Sequence, residues 1–286
     1  MIHRLLSQRT INKSASAMVT NSYTRFVYAL AVLVVVMGAA QAHAQSSGED
    51  LMSIDFEKLV KTEVLTASKL ALQVSDSPAA VSIVTAEDIR TFGYRTLADV
   101  INGIRGLYTT YDRRYEYLGG RAFGNPGDFA GRVMILIDDY AAQDNVYSQV
   151  YIDNSALVDI ELVDRVEYVP GTGAVTCGSG AFLGIINVIT KNGRDFNSAQ
   201  IAGDVSSYGG VRRRITAGKQ LDNGANILIS ASDLRNSGQD LYFPYFDARG
   251  ADGGIATGQD SESNKRFFAK LQYEGLTIQA GQSTLF

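Results

Sequence analysis

The chain has 286 residues, of which 45% are hydrophobic and 20% are charged, so it can bury the core of one or two domains. Its 26 Lys and Arg residues against 30 Asp and Glu residues give a net charge of −4, which provides no general excess of cations for binding nucleic-acid phosphates. The single cysteine, Cys177, excludes an intrachain disulfide and a metal site built from cysteines.

The first 44 residues have the features of an export signal. No Asp or Glu occurs between Met1 and Gly48, and basic residues precede an unbroken apolar run of 15 residues, Phe26 to Ala40. This run is shorter than the roughly 20 residues of a membrane-spanning helix and has the length of a signal-peptide core. Ala42-His43-Ala44 fits a small-x-small cleavage site, so we expect a signal peptide over 1–44. The alternative is an uncleaved N-terminal anchor.

Cleavage after Ala44 would also remove both histidines of the chain, His3 and His43. The mature chain would then lack the side chain most often used for acid–base chemistry near neutral pH. This argues against many classes of enzyme. We therefore expect a protein that is not an enzyme and that has no cofactor and no metal site.

Two short segments follow the signal. Residues 45–61 are predicted to be a flexible lead, in which Leu51–Val60 has the apolar spacing of one short amphipathic helix. Residues 62–67 are β-prone, but no other strand signal lies beside them.

A small domain of helices and strands is predicted from about residue 62 to about residue 192. Ala80–Val84 reads as a short apolar strand. Thr85 and Thr96 each begin a helix, because each is followed three residues later by a carboxylate, as in a capping box. Gly93 is expected to end the first helix. In the second helix the apolar residues lie at helical spacing, at Leu97, Val100, Ile101 and Ile104.

Three further strands are predicted later in this domain, at Val133–Ile137, Arg165–Val169 and Ile185–Ile189. Asp138-Asp139 reads as a turn after the first of them. A glycine-rich loop separates the other two.

Residues 193–286 have a different pattern, with long alternating strands. In Lys265–Tyr273 and Leu276–Leu285, apolar and polar residues alternate, which is the weak signature of a transmembrane β-barrel. A soluble, half-buried antiparallel sheet has the same periodicity and remains the alternative. Asn223-Gly224 reads as a tight hairpin turn, and Arg235–Asn264 as a long loop.

The order of these motifs resembles the plug domain of the TonB-dependent outer-membrane receptors. The matching segments are Ser77–Ile89, Thr96–Ile101, Gly106-Leu107, Val133–Asp138, Val163–Val169, Gly178–Ala181 and Ile185–Lys191. The resemblance implies an α+β plug domain, with a mixed sheet and short helices, over residues 62–192. The first antiparallel strands of an incomplete transmembrane β-barrel would follow over residues 193–286.

Four positions depart from the family pattern. Val169-Pro170-Gly171 stands where the family usually has Arg-Gly-Pro, and Cys177 stands at a usual tyrosine. Arg121-Ala122-Phe123 replaces an Arg-Gly-Phe-like motif. Asp139 replaces a glycine after the central strand, which predicts some strain, because glycine accepts a positive φ at less cost.

The resemblance implies energised uptake of a scarce ligand at the outer membrane. The expected partners are TonB, outer-membrane lipid and a small-molecule ligand such as a siderophore-like iron chelate, cobalamin or another nutrient; no nucleic-acid partner is expected. A segment similar to the TonB box lies at Glu63, Val64, Leu65, Thr66 and Ala67. An extended segment of this kind can add a strand to a partner's sheet edge. A plain linker or a first plug strand is the alternative.

An aromatic and cationic run marks the expected ligand-contact loop at the apex of the plug. Its members are Tyr108, Tyr111, Arg113, Arg114, Tyr115, Tyr117 and Arg121. Such side chains can stack on a planar ligand or bind an anionic one. Tyr and Arg also serve in solvated loops and in packing against a barrel wall, which is the alternative.

Parts of the sequence are also compatible with two other classes of function. Gly171-Thr172-Gly173 or Gly178-Ser179-Gly180 could suggest a phosphate-binding enzyme, but no lysine follows as in a P-loop and the spacing misses the dinucleotide pattern. A non-transporting signalling or structural fragment in the periplasm is the stronger alternative.

The strand-forming part of the chain is short for a closed barrel. Plugged outer-membrane transporters have about 22 strands, whereas Ala199–Phe286 allows about five at roughly 9 to 11 residues per strand. An open sheet would leave unpaired edges in hydrocarbon. We therefore expect a truncated sequence that cannot transport by itself.

Overall fold

The computed structural model describes residues 63–64, 72–73, 81–125, 127–128, 132–171, 180–247 and 253–286. The predicted signal peptide, the lead over 45–61 with its helix, residues 65–67 and Cys177 lie outside these ranges. None of the helices in the described ranges is both long and apolar enough to cross a membrane.

The first two strands form a small antiparallel pair. β1 (Glu63–Val64) pairs with β2 (Leu72–Gln73), with Glu63 opposite Gln73. The β-prone segment predicted to stand alone therefore has a strand partner within its own chain.

A strand and a capped helix follow, as predicted. β3 (Ser82–Thr85) leads directly into α1 (Ala86–Phe92). The hydroxyl of Thr85 accepts a hydrogen bond from the amide of Asp88, and the Asp88 carboxylate accepts one from the amide of Thr85, so both ends of a capping box are present. Gly93 has a φ of 69° and ends the helix in the left-handed conformation.

The second helix repeats this arrangement. α2 (Leu97–Gly103) begins at Thr96, whose hydroxyl accepts from the amide of Asp99 at 3.2 Å. Its four predicted core residues are all buried: Leu97, Val100, Ile101 and Ile104. The buried face predicted from the helical spacing is therefore confirmed.

A β-hairpin stands where a loop was expected. β4 (Leu107–Tyr111) pairs in antiparallel fashion with β5 (Glu116–Gly120). Tyr108 lies directly opposite Gly119, and a Cβ at Gly119 would come within 2.2 Å of the Tyr108 ring. The close approach of this ring requires glycine on the partner strand.

The central sheet of the domain is mixed, as the resemblance implied. Its remaining strands are β6 (Val133–Ile137), β7 (Tyr140–Ala141), β8 (Val163–Pro170) and β9 (Gly184–Thr190), and a 3-10 helix at Ile160–Leu162 precedes β8. The strand order is β3-β8-β9-β6-β7. β6 and β9 are parallel, and the other pairs are antiparallel.

Helices and sheet enclose one main core. Val100 and Ile101 of α2 pack with Ile135, Val166 and Ile186 of the sheet in a single cluster of buried residues. On the other face of β6, a smaller buried cluster consists of Met134, Leu136, Ala181 and Ile185. Burial on both faces explains why β6 is a continuous apolar run.

After α3 (Gly193–Phe196), a short helix that was not predicted, the chain forms a five-stranded antiparallel sheet, which we call the wall. The wall consists of β10 (Ser198–Ser206), β11 (Gly210–Gln220), β12 (Asn226–Asn236), β15 (Glu262–Tyr273) and β16 (Leu276–Leu285), in that order. The expected number of strands is confirmed.

Between β12 and β15 the predicted long loop carries structure of its own. β13 (Asp240–Tyr242) pairs with β14 (Ile255–Thr257), and a 3-10 helix occupies Pro244–Phe246. The wall strands also extend to Asn236 and begin again at Glu262, so the connection is shorter than expected. We call the end of the wall with this connection its upper end. The predicted turn at Asn223-Gly224 joins β11 to β12 at the lower end, where Gly224 has a φ of 87°.

The two faces of the wall differ as the alternation predicted. On β15, Arg266, Phe268 and Lys270 face the N-terminal domain, and Phe268 joins the main core together with Leu228 of β12. The outward set on β15 and β16 includes Leu271, Tyr273, Leu276 and Ile278, which are all exposed. An apolar outer face and a polar inner face suit a sheet that separates lipid from a polar interior.

Candidate functional site

The tip of the β4–β5 hairpin is built around Asp112. Its Oδ1 accepts hydrogen bonds from the amides of Arg114 and Tyr115 at 2.8 and 2.7 Å, and its Oδ2 accepts one from the Tyr117 hydroxyl at 2.6 Å. The bond from Tyr117 is the main reason that the pKa of Asp112 lies below its ordinary value. The same bond raises the pKa of Tyr117 to about 12. The tip is therefore a rigid turn held by one carboxylate.

The structure divides the aromatic and cationic run into two groups. Tyr111, Arg113, Arg114 and Tyr115 lie at or beside the tip, and the first three are exposed. Tyr108 and Arg121 lie at the opposite end of the hairpin, where the Tyr108 hydroxyl donates to the carbonyl of Gly124 at 3.4 Å.

Tyr117 has a different position from the rest of the run. Its side chain is buried, with 7% of its surface exposed, and its hydroxyl is bound to Asp112. In this structure Tyr117 supports the tip from inside the domain.

The tip touches two other parts of the chain. The ring of Tyr115 stacks on the ring of Tyr151, with centroids 6.3 Å apart. Arg113 Nη1 lies 3.8 Å from Asp260 Oδ2, in the connection at the upper end of the wall. Because the Arg113 side chain is half-exposed and the two groups are 3.8 Å apart, the pair contributes little to stability, but it places the tip beside that connection.

Tyr151 belongs to a loop that the sequence reasoning did not select. The loop is ordered by Asp144, which accepts hydrogen bonds from the amides of Val146, Tyr147 and Gln149 at 2.7 to 2.9 Å. These bonds, led by the one from Tyr147, lower the pKa of Asp144. Tyr147 is 79% exposed. The density of tyrosines between positions 140 and 151 was the available signal.

A cluster of charges, which we call the acid–arginine cluster, joins the domain to the wall. On the domain side are Asp159 and Glu161, beside the 3-10 helix. Arg266 Nη1 lies 3.1 Å from Asp159 Oδ2, and Arg214 Nη1 lies 2.8 Å from Glu161 Oε2. Arg212 Nη1 lies between them, 3.8 Å from Asp159 and 3.6 Å from Glu161.

The two acids of this cluster have opposite pKa shifts. Burial opposes ionisation of Asp159, but its contact with Glu161 and the nearby Arg266 and Arg212 outweigh burial and lower its pKa to about 2. Burial and the proximity of Asp159 raise the pKa of Glu161 to about 7, although two arginines lie close to it. Asp159 is therefore the permanent anion, while Glu161 exchanges a proton near neutral pH.

These contacts are close ion pairs without good hydrogen-bond alignment. Neither oxygen of Asp159 has an aligned hydrogen-bond partner, and the same holds for Glu161 Oε2 and Arg214 Nη1. Charge proximity, with less contribution from directional bonding, holds this side of the domain to the wall.

A second ionic contact lies nearer the lower end of the wall. Asp138 Oδ2 is 3.0 Å from Lys270 Nζ, and Lys270 also donates to the Thr190 hydroxyl at 3.0 Å. Asp138 accepts further hydrogen bonds from the Thr190 amide and from Gln279 of β16. The buried ammonium group therefore has oxygen partners, as a charge in a protein interior requires.

The next residue, Asp139, has the positive φ that its place in the turn predicted. The φ values of Asp138 and Asp139 are 46° and 69°. Asp139 Oδ1 accepts a hydrogen bond from Asn187 at 2.6 Å, which ties the turn to β9. This bond helps an aspartate to occupy a conformation that favours glycine.

The fold and these contacts define a class of protein: a small mixed-sheet domain fixed by charges to the polar inner face of an antiparallel wall. Residues 73–185 match the family model described as TonB-dependent Receptor Plug Domain. Residues 73–185 therefore form a plug domain of the TonB-dependent receptor type, and the antiparallel strands that follow are arranged like the first strands of such a receptor's barrel. We use "plug" below for the described residues 81–192.

Particular relatives agree with this assignment. The chain is similar to the vitamin B12 transporter BtuB of Vibrio cholerae, with 26% identity over 58% of this chain and 29% of the relative. It is also similar to a probable TonB-dependent siderophore receptor, PiuA, of Acinetobacter baumannii, with 27% identity over 71% and 26%. It thus spans between a quarter and a third of the length of these curated relatives.

A solved structure shows the same fold. The pyoverdine outer-membrane receptor FpvA of Pseudomonas aeruginosa aligns with a TM-score of 0.54 at 17% identity, covering 80% of this chain and 31% of that one. An outer-membrane location of this chain follows from these relatives. They are transporters and receptors, which supports a role other than that of an enzyme.

Proposed function

We propose that this chain supplies the plug and the first barrel strands of a TonB-dependent receptor that takes up a scarce ligand across the outer membrane. A vitamin B12 transporter and a probable siderophore receptor among its relatives support a siderophore-like iron chelate or cobalamin as the kind of ligand. Because each relative is much longer than this chain, transport belongs to the whole receptor.

The observation that carries this proposal is the set of ion pairs between plug and wall, which flank a small apolar contact at Leu228 and Phe268. Asp138 with Lys270, and Asp159 with Arg266, join the two by ion pairs. A plug sealed by an apolar core would separate only at the full cost of exposing that core to water. Ion pairs can exchange their partner for water at a lower net cost, because hydration replaces part of what is lost. Such a contact can hold the plug in place at rest and still allow the plug to be displaced during transport.

The coupling element in this proposal is the TonB-box-like segment, Glu63 to Ala67. Its first two residues already adopt the extended conformation of a strand, in β1. An extended segment binds a partner by adding a strand to the partner's sheet, through main-chain hydrogen bonds. TonB is the proposed partner, and β2 would be exchanged for it.

The proposed ligand contacts are the exposed and half-buried residues at the hairpin tip. Tyr111, Arg113, Arg114 and Tyr115, with Tyr151 beside them, present aromatic faces and guanidinium groups together. Such a surface can stack on a planar ligand and can bind anionic oxygens. The buried position of Tyr117 supports a structural role for that residue.

The proposal is tested by measuring uptake of radiolabelled cyanocobalamin and of radiolabelled ferric siderophores. The full-length receptor would be expressed in a strain that lacks its own receptors, with and without TonB. We expect accumulation of one ligand class only when TonB is present. Binding to cells without accumulation in either strain would contradict a transport function.

A further inference from the structure

The outward face of the wall carries an apolar band. In one row across the sheet, Ile201 lies opposite Ile215, and Ala231 lies opposite Phe267. The next row towards the lower end contains only alanine and isoleucine: Ala199, Ala217, Ile229, Ala269 and Ala280. An apolar surface of this kind suits contact with the acyl chains of lipid.

Two cations at the upper edge of this band point away from the plug. Their neighbours Arg212 and Arg266 face the plug, where they lie 3.8 and 3.1 Å from Asp159. Because neighbouring side chains on a strand point to opposite sides, Arg213 of β11 and Lys265 of β15 point outward. Both side chains are exposed.

A third cation lies on the strand between them. Residues directly opposite each other share a face of the sheet, and Asp233 of β12 lies opposite both Arg213 and Lys265. Arg235, two residues further along β12, therefore also points outward, and its side chain is 69% exposed. We call these three residues the outer cation cluster: Arg213, Arg235 and Lys265.

The outer cation cluster has an excess of positive charge. Asp233 Oδ2 lies 3.4 Å from Arg235 Nε and offsets the charge of that arginine. The Lys265 ammonium lies 5.8 Å from the centre of the Phe286 ring, a contact that leaves its charge uncancelled. Among the described residues, no carboxylate forms an ion pair with Arg213 or Lys265. The cluster can therefore still attract an anion.

The cluster is compact enough to bind a single anionic group. Adjacent strands lie about 4.8 Å apart, and each strand rises roughly 3.3 Å per residue, so the three backbone positions lie within about 10 Å of one another. Long side chains from such positions can converge on one phosphate. Guanidinium groups bind phosphate oxygens in pairs, and an ammonium group adds a mobile point charge.

The cluster lies at the external edge of the band. Tight turns join the wall strands at the lower end, at Asn223-Gly224 and Glu274-Gly275, whereas the long connection over 237–261 extends from the upper end. Outer-membrane barrels have short periplasmic turns and longer extracellular loops, so the upper end faces outward from the cell. A cation on the lipid-facing surface is least unfavourable near the interface, where headgroups surround it.

The lower end of the wall carries charges of both signs. Lys219 points outward there, and Asp222 and Glu274 lie in the two turns. Tyr273, which is partly exposed, adds an aromatic side chain close to the interface. An excess of positive charge therefore distinguishes the upper edge of the band from the lower one and favours anionic headgroups in the external leaflet.

We propose that the outer cation cluster binds the phosphate group of a lipid in the external leaflet, with the acyl chains of that lipid on the apolar band. The inference goes beyond the proposed uptake function, because the cluster lies on the face of the wall that points away from the plug. It predicts a lipid that is held at one place on the wall and is selected by its phosphate.

The test uses the purified full-length receptor in detergent, freed of lipid and titrated with lipid A, a phosphorylated glycolipid, without divalent cations. Native mass spectrometry counts the bound lipid. The double variant Arg213→Gln, Lys265→Gln removes charge with little change in side-chain length. Lys219→Gln, on the same face at the lower end, is the matched control. We expect lipid A to bind the double variant about tenfold more weakly or worse, and to bind Lys219→Gln like the wild type.

Two further probes identify what the cluster recognises. Dephosphorylated lipid A should bind the wild type as weakly as lipid A binds the double variant, and inorganic phosphate should not displace bound lipid A. Equal binding of both lipid forms, or unchanged binding of lipid A to the double variant, would overturn the proposal. Displacement by inorganic phosphate would overturn it too, because the cluster would then be a general anion site.

A variant that keeps both charges guards against a disturbed fold. Arg213→Lys, Lys265→Arg should retain lipid A binding, and its loss would show that charge at these positions is not what binds the lipid. These measurements do not involve uptake. The proposed transport function can therefore fail while the lipid site stands, and the reverse also holds.

Discussion

The carboxylate of Asp138, in the turn after a central strand of the plug, lies 3.0 Å from the ammonium group of Lys270 on the barrel wall. Both groups are largely removed from water, with side-chain exposures of 11% and 3%. A charge buried in this way depends on its partner, since loss of the partner leaves it neither paired nor hydrated.

Lys270→Met should therefore destabilise the receptor by about 3 kcal/mol, the lower end of the range for breaking a buried pair. The double variant Asp138→Asn, Lys270→Met should lose less than the sum of the two single changes, because it leaves no unpaired charge. Unfolding of the detergent-solubilised full-length receptor by denaturant would measure these losses. Additive losses would show that the two groups are not coupled.

The acid–arginine cluster predicts a pH dependence through Glu161. Its pKa is raised from 4.5 to about 7, so between these values the folded protein holds a proton that the unfolded chain releases. The contribution of this group to stability is fully present below pH 4.5 and is lost as the pH rises through 7. Asp159, whose pKa is lowered to about 2, acts in the opposite direction and only at acid pH.

Thermal unfolding of the full-length receptor across the range from pH 4.5 to above 7 would test this sign. The wild type should become less stable as the pH rises, and Glu161→Gln should show a flatter profile. Asp164→Asn, which removes a half-exposed carboxylate that pairs with Arg165, is the matched control and should retain the wild-type slope. An identical slope in Glu161→Gln would assign the titration to another group.

The coupling segment gives a third prediction. Leu65→Pro should abolish uptake and leave ligand binding intact, because proline lacks the amide donor that strand addition requires. Leu65→Ala keeps the amide and should still transport. Ligand binding and accumulation would be measured separately in whole cells. Loss of binding in Leu65→Pro, or normal accumulation, would show that the segment is not the coupling element.

The hairpin tip gives a fourth prediction. Tyr115→Ala and Arg114→Ala should each weaken ligand binding by about 1 kcal/mol or more, as expected for loss of a stacking or charged contact. Tyr117→Phe should leave the Kd unchanged and lower stability by about 1 kcal/mol, because it removes the hydrogen bond to Asp112. Equilibrium binding to purified receptor would measure both effects. A larger loss of affinity in Tyr117→Phe than in Tyr115→Ala would contradict the assigned ligand face.

Local signals predicted much of the fold. Thr85 and Thr96 are each followed three residues later by the aspartate that completes the capping box. The start of each helix could therefore be predicted from local sequence alone. The alternation in β15 likewise predicted which residues share a face, since neighbouring side chains on a strand point to opposite sides.

The remaining features depend on residues far apart in the chain. The pairing of β4 with β5 was missed because the Tyr- and Arg-rich run has no clean alternation. The burial of Tyr117 and its hydrogen bond to Asp112 follow from that pairing. The acid–arginine cluster was missed for a similar reason. Alternation placed Arg266 on the inner face, but nothing local identifies its partner Asp159, which lies on a different element of the fold.

The arginines and the lysine on the inner face of the wall also favour one register of pairing between the wall strands. A slip of one residue along any strand would turn its inward set outward. Arg212 and Arg214, or Arg266 and Lys270, would then face hydrocarbon, at a cost of roughly 2 to 4 kcal/mol for each cation near the bilayer midplane. Their acidic partners on the plug would at the same time be left in a dry interior without counter-charges. A shifted register is therefore disfavoured both by cations in hydrocarbon and by unpaired acids on the plug. The cations that hold the plug thus also favour the correct strand register during assembly.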